Sequence, residues 1–243
     1  MPACVGWGLG WSTTCALAPD VSTCRVIAFV GPSVRRVARE AMALADGDPE
    51  LEIRPPARRG DIAKLVEERA PSTIALVDGT FYSYPSVGHA EIRRAIDLGW
   101  NVWGLSSMGA IRAAEMAVCG MRGYGAVFRR FADDPDFDDD EVALLHGAEA
   151  PYAALSEPMI HIRGFVDHLV SKDALHRDDA ADSLRSLKER WFGDRTLAAV
   201  RALVRPRVKA PQSFDTAFAE FDAFRTKSHD LERFLAEKPW RTL

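Results

Sequence analysis

Residues 101–109 read Asn-Val-Trp-Gly-Leu-Ser-Ser-Met-Gly. A short apolar run, a turn built on Gly104, Ser106, Ser107 and Gly109, and then a run with helical spacing (Ile111, Ala114, Val118) make one strand–turn–helix unit. The same grammar recurs upstream. Arg25-Val-Ile-Ala-Phe-Val30 is an apolar run closed by Gly31-Pro32-Ser33, and Ser33 caps an expected helix carrying Val34, Val37, Ala38, Ala41 and Leu44 up to Gly47. Leu51-Glu-Ile53 precedes Pro55-Pro56 and a helix from Asp61 bearing Ile62, Leu65 and Val66. Thr73-Ile-Ala-Leu-Val77 precedes Asp78-Gly79 and a helix opened by Ser86, with Ile92, Ala95 and Ile96 inward. Strands alternating with helices predict an α/β fold with a Rossmann-like parallel sheet and helices on both faces. After residue 150 only helical spacing remains: Ile162 to Val170, Leu184 to Trp191, Leu197 to Leu203, and the stripe Phe214, Phe218, Phe221 and Phe224. The expected organisation is a loose tail over 1–24, an α/β core over 25–150 and an all-helical C-terminal part over 151–243. The phenylalanine stripe reads as core.

Composition narrows the class. The 243 residues carry a net charge of −4, with 27% charged and 47% hydrophobic residues. That balance suits a soluble globule and argues against a nucleic-acid binder, which needs clustered cationic charge. Four cysteines (Cys4, Cys15, Cys24 and Cys119) show no metal-ligand or redox spacing, so reduced thiols in a cytoplasmic protein are expected. The sequence has no membrane-spanning apolar run, and its start lacks the basic region of a secretory signal. Charge is uneven, however. Residues 133–141, Asp-Asp-Pro-Asp-Phe-Asp-Asp-Asp-Glu, hold seven acidic side chains, and without them the rest would carry +3.

In a parallel sheet, ligands bind beyond the carboxyl ends of the strands. Ser33, Arg58, Arg59, Asp61, Asp78, Ser106 and Ser107 are therefore candidate site residues. The turn at Ser106-Ser107 has the layout of a nucleophile elbow but misses its Gly-x-Ser-x-Gly pattern. Either serine is a candidate nucleophile; the alternative is that Ser107 caps the helix and both hydroxyls satisfy turn amides. Arg112 and Glu115 lie on the helix that follows and form either a simple i,i+3 pair or part of a site. His89 sits in the first turn of its helix, where the dipole favours neutral imidazole, so it suits either a base or a surface or capping histidine. Asp78 is placed either to orient a histidine or to make an Asp-Gly turn. The run Asp138-Asp139-Asp140-Glu141, with His146-Gly147 after it, suits a solvated linker, a docking surface, a lid or a Mg²⁺ site. A nucleotide site is weakly supported, because neither Gly-x-Gly-x-x-Gly nor a P-loop is present. No cofactor is expected.

Several segments together resemble the TfuA-like proteins. They are Gly31-Pro-Ser33, Pro55-Pro-Ala-Arg-Arg-Gly-Asp61, Asp78-Gly-Thr-Phe81, Ser86-Val-Gly-His89-Ala-Glu-Ile92, Gly104-Leu-Ser-Ser-Met-Gly-Ala-Ile-Arg-Ala-Ala-Glu115, Gly120-Met-Arg-Gly-Tyr-Gly125, Asp138-Asp-Asp-Glu-Val-Ala143, His146-Gly147 and Ser156-Glu-Pro158. The resemblance spans about residues 26–165, with Ile111 where leucine is expected. It implies a partner of YcaO enzymes, which activate a peptide backbone amide with ATP, here for thioamide formation in ribosomally made peptides. It also implies a thiocarboxylated sulfur carrier protein as second partner, with the precursor peptide met indirectly. Two roles follow from it. In the first, the protein hydrolyses the thiocarboxylate and releases sulfide: Ser107 (or Ser106) attacks, His89 is base, Asp78 orients it, and turn amides with Arg112 hold the oxyanion. Ser33, Arg59, Asp61, Glu115, Asp139, Asp140, Glu141 and His146 then belong to substrate binding. In the second, the protein is a non-catalytic adaptor whose acidic segment and helical tail dock the carrier to the YcaO enzyme.

Overall fold

The computed structural model describes residues 26–34, 48, 50–80 and 84–242. Met1–Cys24 and the helix expected after Ser33 thus lie outside the described residues, apart from Val34. Strands β1 (Val26–Phe29), β2 (Leu51–Arg54), β3 (Thr73–Leu76), β4 (Asn101–Leu105) and β5 (Arg122–Tyr124) form one sheet in the order β2-β1-β3-β4-β5. Every neighbouring pair is parallel. The α/β expectation holds, with the shorter doubly wound strand order. That order reverses direction between β1 and β3, which places the crevice for a ligand at their carboxyl ends. β5 carried no sequence signal: its three residues, Arg-Gly-Tyr, are too short to show a period.

Helices α1 (Asp61–Glu68), α2 (His89–Asp97) and α3 (Met108–Met116) cover one face. There Ile27, Phe29, Ile74, Leu76 and Val102 meet Ile62, Leu65, Ile92, Ala113 and Met116. α3 departs from the expected stripe. It ends at Met116, Ala113 and Met116 point inward, and Val118 is 96% exposed. The cause is the closeness of its first turn to the sheet. A Cβ on Gly104 would lie 2.0 Å from the Gly109 carbonyl oxygen, and one on Gly109 would lie 1.7 Å from that of Leu76. Only two glycines let the backbones approach so closely, and this contact sets the helix rotation. Helix α4 (Gly125–Asp133) follows β5 directly.

The helical C-terminal part contains α5 (Met159–Ser171), α6 (Arg177–Lys188), α7 (Leu197–Val204), α8 (Pro211–Ala219) and α9 (Thr226–Glu237). α5 to α8 build their own core, in which Phe165 packs against Phe214, Phe218, Phe221 and Phe224. The phenylalanine stripe is core, as expected. α9 behaves differently: its Leu231, Phe234 and Leu235, with Trp240 beyond it, lie on the second face of the sheet against Val26, Ala28, Ala75, Trp103 and Leu105. Each such apolar side chain contributes roughly 1.5–3 kcal/mol on burial. Asp230 of α9 also accepts from the amides of Ala126 (2.7 Å) and Val127 (2.9 Å) at the start of α4. The chain end therefore returns to the sheet and brings its own residues to the ligand crevice. Among the described residues, no helix is long and apolar enough to cross a membrane.

Candidate active site

The crevice is a cavity of about 350 Å³. Its floor comes from the strand ends (Pro32, Gly79, Thr80 and Ser107), its roof from the loop carrying Val142, Leu145, His146 and Tyr152, and one wall from Phe192 and Lys227. Arg58 stands at its edge under the ring of Tyr84, 3.8 Å from the centroid.

Asp78 and Ser33 bind each other across the reversal between β1 and β3. The buried Asp78 carboxylate accepts from the amides of Gly31 (2.8 Å) and Ser33 (3.0 Å) and from Ser33 Oγ (2.7 Å). The Ser33 carbonyl in turn accepts from Ser228 Oγ of α9. Asp78 thus makes these bonds to the first strand turn, where the sequence suggested a bond to His89.

His89 pairs elsewhere. Its Nε2 lies 2.8 Å from Glu115 Oε2, which also accepts from Arg112 at 2.6 Å. Arg112 further donates to the Val87 carbonyl and to Ser86 Oγ, so its guanidinium faces α2. The residues lining the cavity include neither His89 nor Arg112. Asp139 faces the same cluster: burial raises its carboxyl pKa first, the Glu115 charge adds to this, and Arg112 opposes it. His89, Arg112, Glu115 and Asp139 are therefore brought together, away from Asp78. Arg59 donates to the Ser86 carbonyl next to this group. Asp61 accepts from the Arg58 amide and fixes the turn before α1.

The two serines of the turn differ. Ser106 has φ +62°, a conformation that costs of order 1 kcal/mol in a non-glycine residue, and its Oγ donates to the Lys227 carbonyl at 2.8 Å. Ser107 is the residue before α3, makes no side-chain cap bond, and lines the cavity. Of the expected oxyanion amides, that of Gly109 donates to the Val77 carbonyl at 3.3 Å.

The acidic run folds inward. Asp138 pairs with Lys188, Asp140 with Arg195 and Lys188, and Glu141 with Arg163 and Lys188. Burial works against the charge on Asp140 and Glu141, but the bonds from Arg195, Arg163 and Lys188 prevail and hold both below the usual carboxylate range. The segment clasps the loop 138–142 onto the helical part, and the cavity roof continues from that loop.

His146 lines the cavity. Its Nδ1 lies 2.7 Å from the Gly147 carbonyl. A carbonyl only accepts, so Nδ1 carries a proton, and in the neutral ring Nε2 is then the nitrogen with the lone pair.

Residues 78–196 match the model of the TfuA-like protein family. Over that stretch the chain is similar to the TfuA-like family. The matched stretch holds Asp78, His89, Ser107, Arg112, Glu115, the acidic run and His146, and ends before Lys227. A comparison with curated proteins gives no match.

Four buried residues escaped the sequence reading. His161 Nδ1 lies 3.1 Å from Glu157 Oε2, and the Lys227 amide donates to His161 Nε2 at 3.3 Å. An amide N–H only donates, so the proton of His161 is on Nδ1 and the ring is neutral. Burial drives its pKa down to about 4; Glu157 pulls upward, and the Lys227 and Arg225 charges push down. Arg225 donates to Glu157 Oε1 at 2.7 Å. Only Glu157 carried a signal, in Ser156-Glu-Pro158. Ser156 itself accepts from the Leu145 amide, and α5 starts after Pro158. Lys227 and Arg225 sit in a helix start with no motif, far along the chain from the strands they serve.

Proposed function

We propose that this protein is a TfuA-like accessory hydrolase for YcaO-linked peptide thioamidation. It cleaves the C-terminal thiocarboxylate of a sulfur carrier protein and so releases sulfide. The carrying observation is a single cavity at the sheet reversal, lined by both Ser107 and His146. Ser107 is the nucleophile and His146 Nε2 the base, in the place first given to His89. Nδ1–H held by a carbonyl is the arrangement that keeps Nε2 ready to accept a proton. Ser106 is a positioning residue, because its hydroxyl holds the chain at Lys227. The volume suits a narrow chain end, within the range of small-ligand pockets.

The acidic run supports this reading over an adaptor that docks through it, since Asp138, Asp140 and Glu141 already pair with cations of the same chain. The test is mass spectrometry of a thiocarboxylated carrier incubated with the protein. Conversion to the carboxylate is expected with wild type and His89→Ala. Ser107→Ala and His146→Ala should each lose roughly 10²-fold or more. An intact carrier that nevertheless forms a stable ternary complex with a YcaO enzyme would instead establish the adaptor.

A further inference from the structure

Lys227 is 1% exposed and lines the cavity with Ser107 and His146. Burying an ammonium costs several kcal/mol in desolvation, and the fold fixes this one from four sides. Its carbonyl accepts from Ser106 Oγ, one residue from the nucleophile (2.8 Å). Its amide donates to His161 Nε2 (3.3 Å), and its Nζ donates to the Val142 carbonyl in the roof (3.0 Å). The next residue, Ser228, donates to the Ser33 carbonyl at 2.7 Å. These bonds reach the β1 turn, the β4 turn, α5 and the roof, so four elements around the cavity hold the backbone and the Nζ of Lys227.

A thiocarboxylate is an anion whose charge is shared between oxygen and sulfur. That charge repels a nucleophile, and the sulfur leaves poorly without a proton. An ammonium on the cavity wall answers both needs, because it is cationic and has three donors. Resting on the hydrolase reading above, we propose that Lys227 is the residue that recognises the anionic chain end and protonates the departing sulfur.

The chemistry then balances. Ser107 Oγ bonds to the carbonyl carbon and its proton moves to His146 Nε2. The C–S bond breaks, and the sulfur leaves as hydrosulfide with a proton from Lys227 Nζ. Water attacks the acyl-serine, and the neutral amine of Lys227 takes a proton from that water. The imidazolium of His146 returns its proton to Ser107 Oγ as the C–O bond to serine breaks. The sum is thiocarboxylate plus water giving carboxylate, hydrosulfide and a proton. No oxidant or reductant enters.

The test compares two substrates: a carrier protein ending in a thiocarboxylate, and the same carrier S-methylated at that end. The methyl thioester is neutral, and methanethiolate leaves without a proton. With Lys227→Met, turnover of the thiocarboxylate should fall by about 10²-fold or more, the scale of proton transfer by a placed group. First-turnover release of methanethiol from the thioester should stay within about threefold of wild type, because that acylation step uses Ser107 and His146 and no proton from Lys227. Lys227→Arg, which keeps a cation, should recover part of the preference for the anion, and it serves as the second variant if Lys227→Met melts early. Equal losses on both substrates, or no loss on either, overturn the role of Lys227. Full activity of Ser107→Ala on both substrates overturns the serine nucleophile, and a thiocarboxylate left intact by the wild-type protein overturns the hydrolase reading itself, so these failures are separable from that of Lys227.

Discussion

Mild acid should loosen this protein through one residue. His161 is buried, titrates near pH 4 in the fold, and has an ordinary value of 6.5. Glu157 alone would favour an imidazolium, but Arg225 and Lys227 already stand beside it, and a third cation in the same buried cluster is unfavourable. Between pH 6.5 and 4 the unfolded chain binds a proton that the folded chain refuses. Stability therefore falls as pH falls through that window and loses nothing further from His161 below it. From the two pKa values, the loss between pH 7 and pH 5 is about 2 kcal/mol, rising to roughly 3 kcal/mol below pH 4. For a chain of this size that lowers the melting temperature by roughly 4–8 °C at pH 5. Asp139, Asp230 and Glu232 are shifted upward by burial and gain stability as they protonate, so the wild-type curve mixes two signs. The assay is therefore a difference: urea unfolding of wild type and His161→Gln at pH 7, 6 and 5. The stability advantage of wild type should shrink by about 2 kcal/mol from pH 7 to pH 5. Parallel pH curves for the two proteins would refute the assignment of a neutral, proton-refusing His161.

Other substitutions test the scaffold. Gly109→Ala puts a methyl 1.7 Å from the Leu76 carbonyl oxygen, where only backbone can move, and should cost upwards of about 3 kcal/mol in chemical denaturation. Asp78→Ala leaves the Gly31 and Ser33 amides and the Ser33 hydroxyl without their acceptor, and a loss of roughly 3 kcal/mol is expected by thermal melting, with Asp78→Asn intermediate. Arg195 is 1% exposed and bonds to the Asp140 carboxylate and to the carbonyls of Leu187, Lys188 and Arg190. Arg195→Met should cost about 3 kcal/mol and raise amide exchange over residues 138–142, whereas Arg185→Met, exposed on α6, should change neither. In the acid range, Asp140 and Glu141 hold lowered pKa values, so the clasp is intact above the ordinary carboxylate range. It opens as pH falls through their folded values, and hydrogen exchange of the roof can follow that opening.

Much of the frame was legible in one dimension. Apolar runs such as Thr73–Leu76 and Asn101–Leu105 are strands buried on both faces, and such strands announce themselves by composition. Ser107 was legible as well, because the carboxyl end of a parallel strand is where this architecture binds ligands. The choice between His89 and His146 was not. His89 follows a glycine and His146 precedes one, and only the contacts of the folded chain tell them apart: Glu115 against the first, the Gly147 carbonyl and the cavity around the second. The acidic run misled in the same way. Seven carboxylates within nine residues look like a solvated surface until the Lys188, Arg163 and Arg195 that meet three of them are folded beside it.

The sequence by itself determined the class of fold, the serine turn and the TfuA-like motifs, because periodicity, glycine and local turn chemistry act over a few residues. Tertiary structure alone decided that α9 closes the second face of the sheet and delivers Lys227 to the crevice. The physical reason is range. Lys227 stands 121 residues from the Ser106 hydroxyl that holds it and 66 from the imidazole that accepts its amide. Burial of Leu231, Phe234 and Trp240 against the sheet fixes both distances at once, and no local pattern in the chain records that they must meet.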